Sequence, residues 1–251
     1  LWDLAARQAG QNLATHLGGR VREQVTAYAS LVRYGGAEPI AAMTRRAVAE
    51  GYRDIKLHEI AYEPIAAARA AIGPDVRLTT DVNCAWSLPE AEAMLPKMKA
   101  LDLYWVEEPT FPPEDYETHK ALSRFGVALS AGENACTAVE FERLSVALTF
   151  PQPSVIKVGG ISEFIKATQH AGALGRTVMP HSPYFGPGYW ATLQLAAHLQ
   201  PVGLFEYMYV KPDAWCGRDI PLPQNGRIAI PDTTGIGFVP DEDTLQRYRV
   251  A

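Results

Sequence analysis

Asp81, Glu107 and Glu133 stand 26 residues apart in each step (107 − 81 and 133 − 107). Each closes a β-like run: Arg77 to Asn83, Tyr104 to Pro109, and Ala128 to Asn134. Helix-forming segments lie between them. A period of about 25 residues per strand-plus-helix unit is the pace of a (β/α) barrel, which holds eight such units in about 250 residues. The C-terminal ends of its parallel strands converge on the face where barrel enzymes do chemistry. Three carboxylates converging there repel one another unless a cation neutralises them. The pattern therefore implies a divalent cation that prefers oxygen ligands, with Mg²⁺ the expected ion.

The rest of the chain keeps the same beat. Strand-like runs are read at Val25–Leu31 and Asp54–Glu59, then at the runs ending in Asp81, Glu107 and Glu133. Three more follow at Ser154–Gly160, Thr177–Ser182 and Gly203–Met208. Helices are expected between them. That at 38–50 stops at Gly51, and that at 64–72 begins with proline and stops at Gly73-Pro74. Ser87-Leu-Pro-Glu90 is a capping pattern, and Pro96 marks an expected kink in the helix it opens. Alternation of this kind implies a parallel sheet with helices outside. Eight units favour closure over an open sheet, and no Gly-x-Gly-x-x-Gly follows the first run. The expected domains are a lead-in helix over 1–20, a barrel over 21–208 and an extended tail over 209–251. Leu1–Gly10 reads as an amphipathic helix already under way, without an initiator Met or N-terminal cap, so the chain is expected to start inside a larger protein.

Composition narrows the class. The 251 residues are 47% hydrophobic and 20% charged, as a soluble globular protein would be. A net charge of −5 and no run of Lys or Arg argue against nucleic acid. No apolar run approaches the 18 or so residues of a membrane span. The three scattered cysteines, Cys84, Cys136 and Cys216, read as free thiols in a reducing cytoplasm. Nothing reads as a signal peptide.

Polar residues gather at the strand ends. The second run gives Lys56 and His58, which alternation points the same way. The third gives Asp81 and Asn83. The fourth gives Glu107 and Glu108, of which alternation admits only one to the interior. The fifth gives Glu133 and Asn134, the sixth Lys157, the seventh His181 and the eighth Glu206. Each has a bland reading taken alone: Lys56 as a buried ion-pair partner, His58 as a satisfied core histidine, His181 as a loop cap. Three acids at matching strand ends are harder to dismiss. A carboxyl inside Leu204-Phe-Glu-Tyr-Met208 is costly unless it is protonated, paired or functional.

As an ordered set, Lys56-Leu-His58, Asp81-Val-Asn83, Val106-Glu-Glu-Pro109, Ala131-Gly-Glu-Asn134, Lys157-Val-Gly-Gly160, Pro180-His-Ser182 and Phe205-Glu206 resemble the mandelate racemase branch of the enolase superfamily. The resemblance covers nearly the whole chain, from Leu1-Trp-Asp3 to Gly235-Ile-Gly237. It implies an α/β fold, a modified TIM barrel of type (β/α)7β. The C-terminal tail would pack on an α+β capping domain whose N-terminal part is missing here. It implies Mg²⁺ bound by Asp81, Glu107 and Glu133, which chooses Glu107 over Glu108. The metal would chelate a small-molecule carboxylate substrate and stabilise the enediolate left when the α-proton departs. Lys56 would supply nearby positive charge. Glu206 would be a protonated acid donating a hydrogen bond to the substrate carboxylate. The family also implies a symmetric homo-oligomer.

Two departures bear on mechanism. The branch pattern Lys-x-Lys is Lys56-x-His58 here, and a histidine can still serve as base or acid near neutral pH. The family's seventh-strand histidine is backed by an aspartate three residues before the Lys of Lys-x-Gly-Gly, and that position is Ser154. A serine can orient an imidazole but cannot stabilise an imidazolium as a carboxylate does. Lys157 would then share the acid/base role or hydrogen-bond the metal carboxylates. The expected reaction is dehydration of a hydroxy or sugar acid, one histidine taking the α-proton and the other protonating the departing β-hydroxyl. Racemisation or epimerisation is the second expectation, and an inactive barrel kept as a binding or structural subunit the third.

Overall fold

The computed structural model describes residues 1–250. Helices α1 (Trp2–Gln8) and α2 (Leu13–His16) come first. They are followed by β1 (Gln24–Ser30), α3 (Ala37–Ala49), β2 (Asp54–Leu57), α4 (Tyr62–Ile72), β3 (Arg77–Asp81), α5 (Leu88–Ala100), β4 (Leu103–Glu107) and α6 (Tyr116–Leu122). Then come β5 (Leu129–Ala131), α7 (Ala138–Ala147), β6 (Phe150–Pro151), α8 (Ile161–Ala173), α9 (Pro187–His198), β7 (Phe205–Met208), β8 (Arg227–Ala229) and α10 (Glu242–Arg247). Strands neighbour one another in the order β6-β5-β4-β3-β2-β1-β7, and every pairing along this path is parallel.

The expected sixth and seventh strands need correction. Ser154–Gly160 is not a strand. The ladder ends earlier, at Phe150–Pro151, and the chain then winds into a turn over 155–159. Its cause is local: Pro151 and Pro153 lack the amide donor a continued ladder needs, and the amides of Lys157 and Val158 fold back onto the Ser154 carbonyl at 3.0 and 2.9 Å. Lys157 therefore rises from a turn above the sheet. Thr177–Ser182 forms only a single bridge, Val178 to Val202, with Pro180 preventing more. This irregular stave still closes the wall. The Met179 amide donates to the Pro151 carbonyl at 3.0 Å on one side, and the Gly203 amide to the Val178 carbonyl at 2.8 Å on the other. Eight staves and the seven helices α3 to α9 make the (β/α)7β barrel.

Helix boundaries follow the sequence signals. Ser87 and Glu90 form a reciprocal capping box at the start of α5. The helix runs on through Pro96, which lies on its exposed side, where water can take the carbonyl that proline leaves free. The tail is tied down rather than loose. β8 pairs antiparallel with Gln24–Thr26 of β1, and Gly235 exchanges backbone hydrogen bonds with Gln11 and Leu13 at 2.8 and 2.7 Å.

Apolar burial is split in two. A large shell lies between sheet and helices, including Leu31, Ile40, Ile55, Leu78, Phe141, Phe164 and Leu195. A small plug of Tyr28, Trp105, Phe150, Met179 and Leu204 fills the barrel interior. Residues two further along the same staves (Ser30, Glu107, Gln152, His181 and Glu206) are all polar, so a polar layer sits directly above the plug. No helix among the described residues is long and apolar enough to cross a membrane.

Candidate active site

Asp81 and Glu107 are the last residues of β3 and β4 and are register partners, so sheet geometry alone sets their carboxylates side by side. Glu133 comes two residues after β5, behind Gly132. That glycine has φ +125, and a Cβ on it would lie 2.8 Å from the Phe141 ring. Only glycine lets the chain turn here, and the turn presents Glu133. One oxygen from each acid lies within 4.8 Å of the others. Asp81 and Glu107 are buried and the Glu133 side chain is 16% exposed. Hard carboxylate oxygens gathered this closely fit a divalent cation such as Mg²⁺ or Ca²⁺.

Lys56 anchors the other half of the layer. It is 1% exposed, and its Nζ lies 2.9 Å from Glu107, 2.8 Å from Glu206 and 3.4 Å from Asp81. Three carboxylates share one ammonium. Burial and the Asp81 charge push Glu107 up to about 8, against the pull of Lys56. Burial likewise lifts Asp81 to about 6. Glu206 goes the other way. Burial would raise it, but the charges of Lys56 and His181 together with hydrogen bonds from Lys56 and Ser30 outweigh burial and hold it at about 2, with Ser30 Oγ donating at 2.8 Å and the Ser182 amide at 3.3 Å. Contact with Lys56 favours the ionised form of Glu206 in the metal-free fold, where the resemblance implies a protonated acid.

Two histidines flank the triad, one from the β2 side and one from the irregular seventh stave. His58 Nδ1 donates to the Leu31 carbonyl, which leaves Nε2 facing Asp81 at 3.5 Å. Burial and the Lys56 charge lower its pKa. His181 Nε2 lies 2.9 Å from Glu133. Lys157 reaches the same centre from its turn, 3.0 Å from Glu133 and 3.0 Å from Asn134 Oδ1. Burial would raise Glu133, but hydrogen bonds and charge from His181 and Lys157 outweigh it and hold Glu133 well below the ordinary carboxylate range. All eight residues singled out in the sequence are therefore brought together.

Others were missed. Gln152 Nε2 donates to Glu107 at 2.7 Å, joined by Trp105 Nε1 at 3.2 Å. Gln152 was hidden by the misplaced sixth strand. Ser30 could have been found by alternation, since it follows Tyr28 on the inward side of β1. Glu108 was set aside because alternation admits one glutamate. It lies just past β4 at φ +42, so alternation no longer applies, and it is buried beside Cys84 and Asn134 with burial and Glu133 pushing it to about 8. Arg33 donates to the His58 carbonyl and lines a cavity of about 410 Å³ with Val32, His58, Asn83, Ala85 and Met208. No sequence signal marked it.

Acids, lysines and histidines are thus gathered at one mouth of a (β/α) barrel, with three carboxylates placed so that they could hold a metal ion. The chain belongs to the enolase C-terminal domain-like family, whose model matches residues 39–244. The resemblance read from the motifs is borne out. The chain is 31% identical over 258 residues to the L-talarate/galactarate dehydratase of Salmonella typhimurium, aligning 96% of this chain and 61% of that one. It is 29% identical over 273 residues to the D-galactarolactone cycloisomerase of Agrobacterium fabrum, aligning 100% and 72%. Against the dehydratase it therefore spans less than two thirds of the relative's length. The crystal structure of the 3,6-anhydro-D-galactonate cycloisomerase from Zobellia galactanivorans superposes with a TM-score of 0.90 at 26% identity, covering 100% of this chain and 73% of that one.

Proposed function

We propose that this protein, with Mg²⁺ held by Asp81, Glu107 and Glu133, removes the proton α to the carboxylate of a hydroxy acid or sugar acid and expels the β-hydroxyl as water. The observation that carries this reading is the two-sided placement of His58 and His181 around three carboxylates that already crowd one another. A bound Mg²⁺ would supply Lewis-acid charge to the substrate carboxylate as negative charge develops there. The sugar acids in the names of the L-talarate/galactarate dehydratase and the 3,6-anhydro-D-galactonate cycloisomerase support the substrate class.

The chain's own residues have separable roles. His58 has Nδ1 committed to Leu31, so it takes the α-proton at Nε2; its lowered pKa keeps it neutral and able to accept. The Cβ–O bond then breaks, and the hydroxyl leaves as water with a proton from His181 Nε2. The resulting enol rearranges to a 2-keto-3-deoxy acid. Lys56 holds Glu107 and Glu206 in place and adds positive charge to the site. Lys157 fixes Glu133 and Asn134. The same flanking bases support racemisation or epimerisation as a second reading, since a base on each side can remove and return one proton.

Incubation with MgCl₂ and a panel of acid sugars in D₂O, followed by proton NMR, separates these outcomes. Loss of water with a 2-keto-3-deoxy product is expected. Deuterium at Cα without loss of water selects the second reading. No exchange with any substrate, together with no Mg²⁺ binding, refutes both.

A further inference from the structure

A histidine that transfers a proton at one ring nitrogen needs its other nitrogen held, because that bond fixes both tautomer and ring direction. His58 has the Leu31 carbonyl for this purpose. His181 has no carboxylate at Nδ1. Its neighbour there is the Tyr184 hydroxyl, at 3.4 Å. That hydroxyl donates its single proton to the His181 carbonyl at 2.7 Å. It also contacts Ser154 Oγ. With its proton committed, the phenol oxygen offers only lone pairs, one to Ser154 O–H and one to the imidazole Nδ1–H. Ser154 is fully buried, so its hydroxyl has no competing water. The Tyr184 and His181 rings meet edge-on at 5.7 Å and 70°.

The fold makes room for this tyrosine. Gly188 is the second residue of α9, and a Cβ there would lie 2.8 Å from Tyr184 Cδ2. The glycine leaves the space that the phenol ring fills.

We propose that Tyr184, backed by Ser154, is the positioning residue for His181. Its hydroxyl oxygen accepts from Nδ1–H, keeps a proton on Nδ1 and fixes the ring so that Nε2 points at Glu133, 2.9 Å away. Two neutral hydroxyls thus orient the ring without adding charge to a centre already rich in carboxylates. This rests on the reading that His181 transfers a proton through Nε2.

The test is Tyr184→Phe, which keeps the ring and its packing and removes the oxygen, with Ser154→Ala as a second variant. Long-range ¹H–¹⁵N NMR of the Mg²⁺-loaded protein, recorded as a pH series, reads which ring nitrogen of His181 keeps its proton without substrate. The expected result is Nδ1–H in the unaltered protein and a mixture of tautomers in Tyr184→Phe. With a turned-over acid sugar, kcat should fall about tenfold for loss of one neutral hydrogen bond, while KM stays within about twofold. Ser154→Ala should shift the tautomer less. An identical tautomer in Tyr184→Phe and the unaltered protein overturns the proposal, and so does an unchanged kcat. If no acid sugar is turned over, the functional reading fails, and the tautomer measurement still decides this one.

Discussion

Metal affinity and pH should be linked through Glu107. Asp81, Glu107 and Glu206 surround one lysine, so with all four groups ionised this part of the site would carry −2. Burial and the Asp81 charge push Glu107 up to about 8, so the metal-free fold keeps a proton on it at neutral pH, while the unfolded chain does not. A carboxyl with a raised folded pKa stabilises the fold below its unfolded pKa, and that stability is lost as pH rises to the folded value. Metal-free stability should therefore fall between about pH 4.5 and about pH 8, by at most about 1.4 kcal/mol per pH unit for one retained proton. Mg²⁺ needs the ionised carboxylate, so binding must expel that proton. Affinity should then rise nearly tenfold per pH unit well below about pH 8 and level off there, about 50-fold in all from about pH 6 to about pH 8. Calorimetric titration in two buffers of different ionisation heat counts the proton, and close to one per Mg²⁺ is expected at about pH 7. Thermal melts with EDTA and with Mg²⁺ should diverge as pH rises. A dissociation constant flat across this window, with no proton released, would refute the charge accounting.

Glu133→Gln should abolish catalysis and weaken Mg²⁺ binding while circular dichroism stays unchanged; an active variant would contradict the metal assignment. Lys56→Met leaves Glu206 and Glu107 buried without their cation. It should cost about 3–5 kcal/mol in urea unfolding, as breaking a buried pair does; a loss below about 1 kcal/mol would show that Lys56 is not the anchor described. Gly132→Ala forces a side chain onto φ +125 and against Phe141. It should cost about 1–3 kcal/mol and lower Mg²⁺ affinity by displacing Glu133, whereas unchanged affinity would separate that turn from the site.

The triad was legible because strand ends in a parallel barrel recur at a fixed period, so equal spacing translates into spatial convergence. Lys56 and His58 were legible by alternation. The same rule failed one residue past β4, where Glu108 takes a left-handed conformation and stays buried at the mouth. Prolines account for the misplaced sixth and seventh staves. Val155-Ile-Lys-Val158 has strand composition, but Pro151 and Pro153 have already spent the ladder before it begins. Tyr184 carried no signal, because its role depends on Ser154 thirty residues earlier and on the space left by Gly188, and neither relation has a period. The partner of Glu206 was not legible for a related reason: an apolar run announces an expensive carboxyl but not the lysine on another strand that pairs with it.

The layering of the barrel explains why such a site can persist in a folded chain. Below it, Tyr28, Trp105 and Phe150 are packed against one another at ring separations of 5.5–5.6 Å from Trp105, and beneath Lys56 lies the face of the Tyr28 ring, 5.9 Å away, with no carboxylate. Its charge must be answered sideways, by strand-end carboxylates fixed in register. Those carboxylates outnumber the cation, and burial keeps water from screening the excess. Two agents can relieve them: a proton, as Glu107 holds near neutral pH, or a divalent cation. Since the second releases the first, the crowding that weakens the metal-free fold at higher pH is also the source of metal affinity there. A substitution that relieved the crowding, such as Glu107→Gln, should therefore make the metal-free protein more stable above about pH 8 and remove its affinity for Mg²⁺, and a variant that gained the stability yet kept the affinity would break the link.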